Sequence, residues 1–384
     1  EQGMCEVVIR SLQSRPALAL DQIKASSDVV QSSRGASPRD DARAMIVPRQ
    51  IRNRYDDSMT TSLTPSLALP LDRPLRVLSL AGGGFLGLYT AVVLEALEAR
   101  AGVPLARRFD LLAGTSIGAV LALALAYEIP MSQLVRLFRE HGPAVFSNRA
   151  LPRGAMSRLL DLSRSVLGPK YSGQALRDAL QTHIGDKRLC DALHPMVIPA
   201  VDVGLCQTKV FKTPHAPASQ GDGALRAVDV AMAACAAPAY FPAVRVGRRL
   251  YADGGLFAVA PDQVALHELE HFMEVDPTRI SMLSIGTATA HYRPAEGVHD
   301  DAGAVGWLSD GRLVLTMLSV QQQHVQAMVE DRLGARYLRL DADWPPDAGL
   351  GIDVATPAAI ATLSGLARNT LRDANPQRLA AFLS

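Results

Sequence analysis

From residue 75 onward, apolar runs of two kinds alternate along the chain, and their alternation predicts its architecture. Leu75–Leu80 (LRVLSL) is an almost unbroken apolar run of strand length, the pattern of a strand covered on both faces of a parallel sheet. A glycine turn, AGGGFLG, follows, and LYTAVVLEALEARAG then carries helical spacing that ends at Gly102. FDLLAG predicts a second buried strand and SIGAVLALALAYEI a second helix. Strand, turn and helix repeated in this order predict βαβ units and a mostly parallel sheet. Further along, the pattern predicts a helix over 173–184, strands near 196–203 and 208–213, and a small-residue helix over 225–236. A hairpin over 242–252, a strand at 279–287, a long helix over 313–333, a strand at 335–340 and a helix over 357–373 complete it.

Two segments break the pattern. Residues 142–170 are mixed in character and are expected to form a cap or lid over a site. Residues 1–70, with stretches such as SSRGASPRDDARA, are polar and without a sustained period. They predict a disordered or loosely packed N-terminal extension, with Met59 as a candidate start of the folded unit and residues 1–58 as an addition to it. Residues 71–384 are expected to be one α/β domain completed by C-terminal helices.

Composition changes this picture mainly by exclusion. The 384 residues are 48% hydrophobic and 20% charged, ordinary for a globular chain with a sizeable core. Lys+Arg 39 against Asp+Glu 38 leaves a net charge of +1, which argues against a DNA or RNA polymer as partner. Aromatics at 5% are too sparse for base-stacking platforms. Cys5, Cys190, Cys206 and Cys235 form no CxxC pair, so neither a disulfide framework nor a zinc cluster is expected, and a reducing, cytoplasmic setting is. The most apolar run, Ile117–Tyr127, is too short for a bilayer span, which takes about 20 residues, and reads as a core helix.

Three motifs carry candidate chemistry. Gly114-Thr115-Ser116-Ile117-Gly118 falls where an apolar strand ends and an apolar helix begins. A nucleophile needs its oxygen presented on a sharp turn, and glycines two residues to either side let the flanking elements approach. The helix N-terminus favours negative charge developing there. Ser116 as a plain N-cap in an ordinary turn accounts for the same pentapeptide. Gly82-Gly83-Gly84-Phe85-Leu86-Gly87 lies in the preceding strand-to-helix turn, where consecutive amides form a donor array for an anion, either a phosphate or an acyl-transfer oxyanion. A flexible turn and a GxGxxG dinucleotide loop are the competitors. The dinucleotide reading expects an acid at the end of the next strand, which here ends in Thr115-Ser116. Asp253-Gly254-Gly255 follows a short strand; it is an Asp-Gly turn, or a carboxylate placed to take a proton from a serine.

Together and in this order, the three motifs resemble those of the patatin-like phospholipase family, which combines a glycine-rich oxyanion loop, a GxSxG serine and an Asp in DG[GA]. Ala236-Ala237-Pro238-Ala239-Tyr240-Phe241-Pro242 and Ser284-Ile285-Gly286-Thr287 resemble two further family segments, so that the likeness spans roughly residues 74–290. The resemblance implies a patatin-like three-layer α/β fold with a mostly parallel sheet flanked by helices. It implies Ser116 as nucleophile and Asp253 as base, Gly82, Gly83 and Gly84 as the oxyanion site, and Gly87, Gly114, Gly118, Gly254 and Gly255 as motif supports. No cofactor and no metal are implied. Two positions depart from the family: Leu86 stands where it usually carries Arg or Lys, and the Asn common after DGG is absent from Leu256–Pro261.

LSLAGGGFLGLYTAVVLEALE, KYSGQALRDAL and PMVIPAVDVGLCQTKVFKTPH are more narrowly similar to bacterial patatin-like effectors of CBASS anti-phage systems. That likeness implies a cyclic dinucleotide as activator, membrane phospholipid as substrate, peripheral action at a membrane by a cytoplasmic enzyme, and a homo-oligomer as a candidate assembly. Three alternatives stand beside it: an unregulated patatin-like lipase or esterase, a Ser-Asp-His hydrolase, and a nucleotide- or lipid-binding protein with a relic site. The triad needs a late histidine, and His267, His271, His291, His299 and His324 are available. His267 and His271 also complete a bare HExxH pattern, for which a surface or capping role is expected, and His324 reads as part of a polar helix face.

Overall fold

A computed structural model describes residues 73–147, 168–293, 307, 311–345 and 348–384. The extension expected over 1–70 and most of the cap expected over 142–170 lie outside the described residues.

Among the described residues, the central strand is β1 (Leu75–Leu80), flanked in parallel by β2 (Leu111–Gly114) on one side and by a late strand, Ile280–Ile285, on the other. Beyond β2 lies β3 (Met196–Asp202), which pairs antiparallel with β4 (Gln207–Lys212). The hairpin β5 (Val244–Val246) and β6 (Arg249–Asp253) joins β3 antiparallel, at Ala200 to Asp202. The Ile280–Ile285 strand is β7, and β8 (Tyr337–Leu340) extends it in parallel. The order is β5-β6-β3-β2-β1-β7-β8, with β4 on β3. The sheet is parallel in its centre and antiparallel at one end, as the expected mostly parallel three-layer fold requires.

Alternation along β1 explains the layers. Leu78 and Leu80 point into the larger core with α1 (Gly87–Ala101) and α2 (Ile117–Ala126). Leu75 and Val77 point into a smaller core on the opposite face. That second core also holds Ala265 and Leu266 of α6 (Asp262–His267) and Val329 and Leu333 of α7 (Arg312–Leu333). α2 is apolar all round and buried at every position, so it packs as a core helix.

Residues Met131–Val145 form helix α3, which the sequence pattern did not predict. Its apolar positions Met131, Leu134, Val135 and Phe138 do recur at helical spacing, but the Gly142-Pro143 pair hides the last turn. The remaining helices, α4 (Gln174–Ile184), α5 (Ala227–Ala234) and α8 (Pro357–Asp373), fall where expected. A short terminal helix, α9 (Pro376–Leu383), follows the Asn375 cap and was not predicted.

Candidate active site

Because β1 and β2 are parallel neighbours, with Leu80 opposite Gly114, the turns that follow them emerge side by side. Ser116 sits on the second turn with φ 54° and ψ −123°, a backbone conformation that costs an L-residue about 1–3 kcal/mol. Close packing imposes it. A Cβ on Gly118 would lie 2.2 Å from the Leu80 carbonyl oxygen, and one on Gly114 would lie 2.2 Å from the Gly118 oxygen. The turn can thus press against the sheet only with glycine at both positions. Thr115 ties it down further: its amide donates to Leu80 O (3.1 Å) and its hydroxyl to Ala258 O (2.6 Å).

β6 delivers Asp253 from the antiparallel end of the sheet, opposite Ala200 of β3. A Cβ on the next residue, Gly254, would meet the Pro199 carbonyl oxygen at 2.4 Å, so glycine permits this close docking. The Ser116 hydroxyl donates to Asp253 Oδ2 at 2.6 Å, and the Gly255 amide donates to Oδ1 at 2.7 Å. Asp253 is 4% exposed. Burial pushes its carboxyl up to about 6, against the pull of the hydrogen bonds from Ser116 and Gly255.

The glycine-rich turn completes the arrangement. Gly82 donates its amide to Val259 O (2.9 Å) and accepts at its carbonyl from Thr287 Oγ1 (3.2 Å). Among the described residues, the amides of Gly83 and Gly84 meet no acceptor, which leaves two donors beside the serine. Gly84 has φ +58°, the left-handed region that favours glycine, and a Cβ there would lie 2.2 Å from Ile352 O. Gly87 lies against Ile117 at the start of α2. Leu86 is fully buried in the larger core, so at this position the chain directs an apolar side chain inward.

These groups open into a cavity of about 280 Å³ whose walls are almost wholly apolar, among them Phe146, Leu176, Phe241 and Ile352. The sequence pattern did not reveal two contributions to it. Cys235, just ahead of the AAPAYFP segment, lines the cavity beside Ser116 and Asp253, and burial pushes its thiol well up. The first turns of α7 add Leu313, Val314, Met317 and Leu318, residues whose role depends on a fold contact rather than on a motif.

No described histidine lines this cavity. His267 and His271 are exposed and stacked on each other at 5.0 Å, His324 is exposed, and His291 pairs with Asp343 at 2.6 Å. His299 lies outside the described residues. In the HELEH segment Leu269 is buried in the smaller core and Glu268 is buried as an ion-paired acid, held by Lys212 (2.5 Å) and His215 (3.1 Å). Among the described residues there is no group of three or more His, Cys, Asp or Glu arranged for a metal, and no helix long and apolar enough to cross a membrane.

Comparison with known proteins agrees with the layout. The profile described as patatin-like phospholipase matches residues 78–266, which run from β1 through both catalytic-type turns and Asp253 into α6. A relative from Pseudomonas aeruginosa named cGAMP-activated phospholipase is 38% identical over 77% of this chain and 85% of its own. The chain belongs to the patatin-like phospholipase family. With the family comes the enzyme class, an ester hydrolase. A Vibrio cholerae protein, also named cGAMP-activated phospholipase, is 33% identical over 77% of this chain and 89% of its own. A cUMP-AMP-activated phospholipase from Escherichia coli is 43% identical, but over only 29% of this chain and 36% of its own.

Proposed function

We propose that this patatin-like protein is a cyclic-dinucleotide-activated phospholipase that cleaves fatty-acyl esters of membrane phospholipids with a Ser116–Asp253 dyad. The observation that carries the reading is the 2.6 Å hydrogen bond from Ser116 to a buried Asp253, both lining an apolar cavity. A carboxylate raised to about 6 is still ionised at neutral pH and holds a proton more readily than an exposed one.

In the proposed cycle, Asp253 takes the Ser116 proton as Oγ attacks the ester carbonyl, and the carbonyl electron pair moves to its oxygen. The free amides of Gly83 and Gly84 hold that oxyanion, with Gly82 orienting the loop. When the tetrahedral intermediate collapses, the ester C–O bond breaks and Asp253 gives its proton to the departing alkoxide. Water, deprotonated by Asp253, then attacks the acyl-serine, and the proton returns to Ser116 as the fatty acid leaves. The apolar cavity suits an acyl chain. Residues 71–384 act as the catalytic unit.

Activation by a cyclic dinucleotide rests on the named relatives, which the chain matches over most of their length. The proposed setting is anti-phage defence, with the enzyme a cytoplasmic protein working peripherally on a bilayer. The test is fatty-acid release from phospholipid vesicles by wild type, Ser116→Ala and Asp253→Asn, each with and without cGAMP. Release by wild type only, and only with the nucleotide, is the expected pattern. Equal release by wild type and Ser116→Ala would sink the dyad, and nucleotide-independent release would leave an unregulated lipase.

A further inference from the structure

We infer that Thr287, Thr289 and Gln322 are positioning residues that set the plane of the Gly82–Gly83 peptide and so aim the Gly83 amide. The inference rests on the reading of the glycine loop as the oxyanion site. A trans peptide is planar, with its C=O and N–H directed to opposite sides. Whatever fixes the Gly82 carbonyl therefore fixes the direction of the Gly83 N–H. That carbonyl is held by the Thr287 hydroxyl at 3.2 Å. Thr287 in turn contacts Thr289 Oγ1 at 3.3 Å, and Thr289 Oγ1 accepts from Gln322 Nε2 at 2.8 Å.

Proton counting gives the relay one direction. Thr287 has a single hydroxyl proton, used on the Gly82 carbonyl, so in its contact with Thr289 it must accept. Thr289 therefore donates to Thr287 and accepts from Gln322. The Gln322 amide cannot turn round, because Arg339 Nη2 donates to its Oε1 at 2.5 Å. Arg339 is itself anchored by Asp341 (2.7 Å) and by Ser284 Oγ (2.8 Å). Thr287 and Thr289 are fully buried and Gln322 is 2% exposed, so water does not compete for these bonds.

The neighbouring residue holds the other side of the same loop. Gln321 accepts from the Val259 amide at 3.3 Å and donates to Gly255 O at 3.4 Å, and Val259 O receives the Gly82 amide. Helix α7 is thus linked to the Gly82 N–H through Gln321 and Val259, and to its C=O through Gln322, Thr289 and Thr287. One helical turn earlier, the same helix walls the cavity with Met317 and Leu318. The sequence segment QQQHVQ, a polar helix face by pattern alone, becomes a brace between the acyl site and the oxyanion loop.

The test uses the full chain with cGAMP present and a water-soluble chromogenic ester, so that vesicle binding does not enter. Thr287→Val and Thr289→Val keep the shape and remove the hydroxyl. Each is expected to lower kcat by about tenfold to a hundredfold, the scale of an ångström-level misplacement, with KM within about twofold. Thr287→Ser and Thr289→Ser restore the hydroxyl and are expected to recover most of the rate. The double variant Thr289→Val/Gln322→Leu is expected to be no slower than the slower single variant, since both cut one relay. The acid limb of the pH–rate profile should stay near 6 throughout, because Asp253 is untouched. If Gln322→Leu fails to fold on thermal melting, the threonine variants carry the test. Wild-type kcat in Thr287→Val, or a serine variant as slow as its valine counterpart, would overturn the relay. Activity surviving in Ser116→Ala would instead remove the hydrolase reading on which it stands.

Discussion

Two carboxylates buried on opposite sides of the sheet show how surroundings divide one chemistry into two tasks. Asp253 is 4% exposed and Glu268 is 2% exposed. For both, the largest influence is burial, which pushes the carboxyl up. Around Asp253 only a serine hydroxyl and one amide oppose it, and the carboxyl stays raised at about 6. Around Glu268, hydrogen bonds from His215 and Lys212 and the Lys212 charge together outweigh burial, and the carboxyl ends below its ordinary value. A buried acid with neutral donors is poised to exchange a proton. One with a lysine is locked as an anion and serves as structure.

The largest expected effect of breaking this contrast is on catalysis. Ser116→Ala and Asp253→Asn should each lower ester hydrolysis by about 10⁴-fold or more, whereas Glu268→Gln should leave the rate of the folded enzyme within about threefold. On stability the order reverses. Glu268→Gln leaves Lys212 and His215 without their shared anion and should cost about 3 kcal/mol in chemical denaturation, with part recovered by adding Lys212→Met.

The pH responses should also be opposed. kcat/KM should fall about tenfold per unit below pH 6, as the proposed base becomes protonated. Because folding raises the Asp253 pKa above its ordinary 3.8, this group favours the native state most below about pH 4 and loses that contribution as pH climbs through 6. Glu268, lowered by folding, contributes above its unfolded pKa and loses its contribution as pH falls. In thermal melts, Asp253→Asn should therefore gain on wild type as pH climbs from 4 to 7, whereas Glu268→Gln should gain on wild type as pH falls below about 4.5. The smallest effect is at the elbow. Ser116→Gly relieves the positive φ and should melt above Ser116→Ala by about 1 kcal/mol equivalent, both being inactive.

Much of this site is legible along the chain because its backbone demands are local. A strand-to-helix turn that buries its flanks against a carbonyl needs glycine at 114 and 118, and a left-handed residue packed on Ile352 O needs glycine at 84. The strands and helices around these turns are regular enough to be read from periodicity. Cys235, Gln321 and Gln322 carry no such mark. Nothing local distinguishes a glutamine buried against Thr289 from one at the surface, as Gln322 and the exposed Gln323 illustrate side by side. The Glu268 cluster is hidden for the same reason: its lysine and histidine lie on a different strand and loop, 53 or more residues away in sequence.

By itself, then, the sequence determined the alternating α/β architecture, the two glycine turns, the serine and the aspartate, because sterics and periodicity act within a few residues. Only the tertiary structure decided that Ser116 and Asp253, 137 residues apart, share a proton-transfer distance. It alone set the polarity around each buried acid and turned a glutamine run on α7 into a support for Gly82. Proton affinity and aim are properties of surroundings, and surroundings exist only once distant segments have packed.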